Sequence, residues 1–150
     1  MKKIVLLLLT LSLSLFADAV YTKTYNAPMA KVYPKIMASF ENAHLIVVSE
    51  IDILAKFKAA GLPETFGTNF NTNKLTGIKA IIACNGWFGN EVANADPKMM
   101  AFCPVRVTLI EEDGKTTVTY VRATVTNKES KAYPTLKKLE AKVIQAIEGI

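Results

Sequence analysis

The chain of 150 residues predicts an α+β fold in one domain, on three observations. Val32, Ile36 and Phe40 in one segment, and Leu136, Leu139, Val143 and Ile147 in another, recur at three- and four-residue spacing. That is the period of a helix with one apolar face. Val105, Val107 and Leu109 alternate with polar residues, as do Val118 and Tyr120, and Asp113-Gly114 between them supplies two residues tolerant of positive φ, the mark of a tight hairpin. No repeat, low-complexity tract or long linker divides the sequence, which is long enough for one core and short for two.

Val20 to Tyr25 alternates and reads as the first strand. Asn26 is placed to cap a following helix with Pro28 in its first turn, where a missing N–H is harmless. Pro34 lies inside that helix, so a kink or a start later than Asn26 is expected. Leu45 to Ile53 is β-branched and apolar, which suits a buried strand. Asp52 to Ala60 suits a short helix stopped by Gly61 and Pro63, and the Asn-, Thr- and Gly-rich stretch 66–76 a loop. Ile78 to Cys84 reads as a strand and Gly86 to Ala95 as a short helix. Counting back from Asp113-Gly114 pairs Leu109 with Val118, Val107 with Tyr120 and Val105 with Arg122, so the apolar faces of the hairpin coincide. Arg106, Thr108, Thr117 and Thr119 share the other, more polar face. The last helix carries Pro134 in its first turn, with Lys131, Lys138 and Lys142 away from its apolar stripe, a solvated face with a basic, partner-binding helix as the alternative. The predicted order is β-α-β-(α)-β-α-β-β-α.

The N-terminus reads as an export signal. Lys2 and Lys3 precede an apolar run from Ile4 to Phe16, and Ala17-Asp18-Ala19 fits a small-x-small cleavage site, with the cut after Ala19 or after Ala17. The run of thirteen residues is shorter than the roughly 20 needed to span a bilayer as a helix. Residues 1–19 are therefore expected to be a signal peptide and 20–150 the folded domain, soluble in the oxidising bacterial periplasm without further membrane attachment. The formal charge of +5 falls to +4 once residues 1–19 are removed, too small and scattered to point to nucleic acid.

Cys84 and Cys103 are the first candidates for chemistry. Cys103 has the strand parity of Val105 and Cys84 that of Ile78 and Ile82, so both are expected to face one inner layer. In the periplasm the expected outcome is a structural disulfide, whose closed loop of roughly 20 residues would stabilise the fold by about 3 kcal/mol. Two unpaired buried thiols are the bland alternative. Thiol or persulfide redox chemistry, or haem or metal ligation, is the active one, with Arg122 one cross-strand step from Cys103, where a cation favours a thiolate. The pair is too far apart in sequence for a CxxC motif, and no further cysteine completes a zinc set.

Other residues give weaker signals. His44, the single histidine, lies where a helix C-terminus is expected, which explains it without catalysis. Met99-Met100 suits core filling better than a thioether copper site. Asn85-Gly86-Trp87 follows a strand and opens a helix, so its backbone N–H groups are placed to meet a ligand edge, with Trp87 as an apolar wall. The polar loop Gly67-Thr68-Asn69-Phe70-Asn71 is placed to border a pocket.

Across 25–147 the chain resembles the bacterial domain-of-unknown-function family 302. The resemblance rests on the helix before Leu45-Ile46-Val47-Val48-Ser49-Glu50-Ile51-Asp52-Ile53, on Ala83-Cys84-Asn85 and on Ala95-Asp96-Pro97. Cys103-Pro104-Val105-Arg106-Val107 and Glu111-Glu112-Asp113-Gly114-Lys115-Thr116 complete it. The family usually has Pro after the Cys-Asn pair, where Gly86 stands here, and Pro-Cys where this chain has Cys103-Pro104. The resemblance implies a TATA-binding-protein-like domain, a curved antiparallel sheet backed by helices, and a homodimer; it brings no established activity or cofactor. The expectation is thus a small periplasmic binding or accessory domain, not an enzyme, with no cofactor or resident metal. Its site would be assembled from Asn85, Gly86, Trp87, Arg106 and Arg122 beside Cys84 and Cys103, and would take a small ligand.

Overall fold

Alternating strands and two amphipathic helices meet here in one arrangement: a sheet with its main core face closed by the helices. The computed structural model describes residues 19–125 and 127–150, so the expected leader lies, apart from Ala19, outside the described residues. Five strands, β1 (Val20–Tyr25), β2 (Ile46–Asp52), β3 (Gly77–Cys84), β4 (Val105–Glu112) and β5 (Lys115–Val121), form an antiparallel sheet in the order β1-β5-β4-β3-β2. The helices are α1 (Met29–Asn42), α2 (Ile53–Ala59), α3 (Leu62–Phe66), α4 (Gly86–Ala95) and α5 (Tyr133–Glu148). Among the described residues no helix is long and apolar enough to cross a membrane.

The core lies between α1 and α5 and one face of the sheet. Ile36 and Phe40 of α1 and Val143 and Ile147 of α5 are fully buried against Ile81, Val107, Leu109 and Val118. The hairpin has the expected register, Leu109 opposite Val118 and Val107 opposite Tyr120, with positive φ at Asp113 and Gly114. The pairing stops before Val105 and Arg122: β5 ends at Val121, and the Arg122 N–H donates to the Ala19 carbonyl at 2.9 Å.

α1 starts at Met29, later than Asn26, and runs through Pro34. The chain of Asn26 does not cap it; the Glu111 carboxylate on β4 accepts from the Met29 N–H at 2.6 Å, placing a negative charge at the helix start. Its C-terminus closes with His44 at φ 55°, whose N–H donates to the Glu41 carbonyl at 2.9 Å while the Leu45 N–H reaches back to Phe40 at 2.8 Å. That reciprocal pair is a Schellman stop, with Leu45 buried as its apolar clasp. His44 therefore ends the helix through its backbone.

β2 corrects the expectation of a buried strand. Leu45 is buried, but Ile46, Val48 and Ile51 are exposed, because β2 pairs only with β3 and forms an edge. Its register shifts between Val47 and Ser49, a bulge of the kind that interrupts edge strands. Asp52 then caps α2 by accepting from the Ala55 N–H at 2.9 Å, and Gly61, at φ 73°, turns the chain into α3.

Candidate functional site

At the end of β3 a single side chain organises the surroundings. Asn85 leaves the strand in an extended conformation and its side-chain oxygen accepts from the Phe88 N–H at 3.2 Å, so α4 begins at Gly86. The same amide donates to the His44 carbonyl at 2.9 Å, tying the start of α4 to the end of α1. Between these termini lies a groove of about 790 Å³. Met37, Ala38, Ile46, Val47 and Trp87 give it apolar walls, and Glu41, His44 and Asn85 give it polar groups. Trp87 is 58% exposed, with its ring edge-on against Phe88 at 4.9 Å between centroids.

Asn85, Gly86 and Trp87 thus share one groove, as expected of neighbours in sequence, although Asn85 acts mainly as a bracket. Sequence reasoning missed Met37 and Glu41. The signal was present: they stand four residues apart on α1, one position beyond the buried pair Ile36 and Phe40, and so flank its core stripe.

Cys84 and Cys103 are neighbours. Cys84 ends β3, Cys103 follows the 3₁₀ turn Pro97–Phe102, and the side chains come within 4.2 Å of each other. Gly89 of α4 lies over both: a Cβ there would stand 3.6 Å from the Cys103 sulfur and 3.9 Å from that of Cys84. Both thiols are free, and the expected structural disulfide is not formed, since the separation is about twice the ~2.04 Å of an S–S bond.

Strand parity does not bring the two thiols together. Ile81 pairs with Val107 and Ile82 with Arg106, so Ile81 and Ala83 face the core while Ile78, Ile82 and the strand position of Cys84 belong to the other face. β3 is apolar on both faces, which hides its parity in the sequence. The thiols meet because Cys84 is the last residue of β3 and Cys103 precedes β4, beyond the regular sheet.

Arg122 does not attend the thiols. Its Nε donates to Glu140 of α5 at 2.9 Å, and the buried Glu140 carboxylate also accepts from the Thr124 N–H at 3.0 Å and hydroxyl at 2.7 Å. Burial, then the neighbouring Cys84, push the Cys103 thiol up to about 11, the reverse of the thiolate-favouring effect expected from Arg122. Arg106 is exposed on the outer face, across from Ile82, beside Pro104 and Val121. The arginines and cysteines therefore do not form the one site expected: Arg122 holds a corner of the fold, Arg106 an outer face.

Met99 is buried beside Val92, Ala123 and Leu136, whereas Met100 is exposed, so the two thioethers do not converge. Among the described residues no group of three or more His, Cys, Asp or Glu is placed to hold a metal. The polar loop does border a cavity of about 370 Å³, with Asn69, Phe70 and Asn71 on one side and Leu54, Phe57 and Ile78 among its apolar walls.

Fold and site together define a helix-backed antiparallel α+β domain with a thiol pair and a half-open groove at the strand ends. The family model described as domain of unknown function DUF302 matches residues 21–150, so the chain belongs to the DUF302 family. It is similar to the crystal structure of an uncharacterised conserved DUF302 protein from Bacillus stearothermophilus, with a TM-score of 0.74 at 16% identity over 88% of this chain and 98% of that one. That likeness bears on the fold. No curated protein matches the chain.

Proposed function

We propose that the chain is an exported, periplasmic domain that binds a small organic molecule in the groove between α1, β2 and the start of α4, and that it works as an accessory module without catalysis. The observation that carries this reading is the groove itself. It combines an exposed tryptophan, aliphatic walls and a few polar groups at one rim, the usual make-up of a small-molecule site. The ligand class that fits is a largely apolar, ring-bearing molecule with one hydrogen-bonding end directed toward Glu41 and His44. The export signal in residues 1–19 supports the periplasm, and the charge of +4 on the remainder supports neither nucleic acid nor membrane as partner. The exposed apolar edge β2 supports self-association into a homodimer, since an unpaired strand edge is a template for another.

Native mass spectrometry of the protein purified from the cells that make it tests this reading. One organic molecule retained per chain is expected, and a chain that retains nothing and takes up no apolar ligand contradicts it.

A second reading, thiol chemistry or metal ligation at Cys84 and Cys103, is favoured by one observation: two free thiols 4.2 Å apart under a glycine.

A further inference from the structure

Two cysteines held this close without a bond present a pair of soft donors and little else. Cys84 is partly exposed and gives access; Cys103 is 5% exposed and gives depth. Gly89 keeps the space beside both sulfurs free of a side chain, at ordinary van der Waals distances of 3.6 and 3.9 Å for the methyl it lacks. A zinc site needs four ligands, and among the described residues no third His, Cys, Asp or Glu joins the pair. Hard cations prefer oxygen, which the pair does not offer. A two-sulfur seat matches one class of ion, a soft cation content with two thiolates. A cation at the midpoint of the 4.2 Å separation would lie about 2.1 Å from each donor, within a few tenths of the ~2.3 Å of a zinc–thiolate bond.

We propose that Cys84 and Cys103 form a two-thiolate site for a single monovalent thiophilic cation of the Cu(I) class, resting on the second reading above and independent of the groove. The binding step is an exchange of protons for metal. Both S–H bonds break, two metal–sulfur bonds form, two protons pass to water, and no electron is transferred. Tyr120, buried and within electrostatic reach of Cys103, is a titratable group of the sheet beside the site, and Gly89 of α4 lies against both sulfurs.

The test uses Ag(I), a redox-inert stand-in, titrated into the reduced protein, with a bifunctional thiol reagent, dibromobimane, applied in parallel. One Ag(I) per chain, with two protons released, and an affinity at least about a hundredfold weaker in both Cys84→Ser and Cys103→Ala supports the site. Circular dichroism reports that each variant is folded; Cys84→Ser, at the partly exposed position, keeps the test decisive if Cys103→Ala is not. Bimane cross-linking without tight Ag(I) binding overturns the ion assignment and leaves the thiol pair standing. Failure of both overturns the pair as well. Binding retained in Cys84→Ser places the ion elsewhere and also overturns the proposal.

Discussion

β2 and β3 lie side by side and read alike, Ile46-Val47-Val48 in one and Ile81-Ile82-Ala83 in the other, yet they have opposite fates. Ile81 has no exposure, whereas Ile46 is 68% exposed. The difference lies in neighbours. β3 is flanked by β2 and β4 and roofed by α1 and α5, while β2 has one free edge and its Ile46 and Ile51 are exposed, outside the buried cluster. Apolar content says that a strand can be buried; its place in the sheet decides whether it is. Here the exposed strand borders the groove, so the side chains that do least for the core are those available to a ligand.

The largest effect expected follows from that contrast. Ile81→Ala removes methyls from a site with no exposure and should cost about 2–5 kcal/mol, read from denaturant midpoints. Ile46→Ala on the neighbouring strand should stay within about 0.5 kcal/mol. Equal costs would mean that Ile46 is packed as tightly as Ile81, against the contrast in exposure.

Asn85 joins the two regions, since it caps α4 at the exit of β3 and holds the His44 carbonyl at the entry to β2. Asn85→Ala should cost about 1–2 kcal/mol. It should also reduce ligand uptake in the groove, which a purely local cap would leave intact.

Alkaline pH probes the buried side through Cys103. Its thiol ionises near 9.0 when unfolded and at about 11 in the fold, so the native state resists deprotonation. A raised value of this kind contributes stability in full below pH 9.0, and that contribution is lost as pH climbs toward about 11. Tyr120, also raised by burial, adds to the loss at still higher pH. Stability measured from pH 8 upward should fall across this window, and more gently in Cys103→Ala; coincident curves would show that the thiol is not buried as described.

The smallest effect concerns Gly86. It is the first residue of α4, a built Cβ there meets nothing within 4 Å, and Asn85 before it has φ −118° and ψ 113°, the region a following proline demands. Gly86→Pro, the residue usual in the family, should be neutral or stabilise by up to about 1 kcal/mol.

Much of this was legible in the sequence because local signals and tertiary needs agree there. The hairpin register followed from Asp113-Gly114, and α4 was bounded by Asn85 at one end and Ala95 at the other. The failures share a cause. The parity of Cys84, the exposure of β2 and the partner of Arg122 all depend on which elements lie beyond the sheet's ends and faces. Arg122 illustrates it: strand counting places it beside Cys103, but β5 stops one residue earlier, and Glu140 on a helix eighteen residues away takes the guanidinium. The groove was half legible. Asn85-Gly86-Trp87 marked one wall through turn chemistry, whereas Met37 and Glu41 are ordinary helix residues until α1 is docked.

Direct titration of the groove with a neutral apolar fluorophore, N-phenyl-1-naphthylamine, tests the central claim that this groove is the binding site. The wild-type chain should bind one probe per groove with quenching of Trp87, the single tryptophan, and Ile46→Glu, a charge on an exposed wall that leaves the core untouched, should abolish it. Equal binding and equal quenching in the two proteins would contradict the claim.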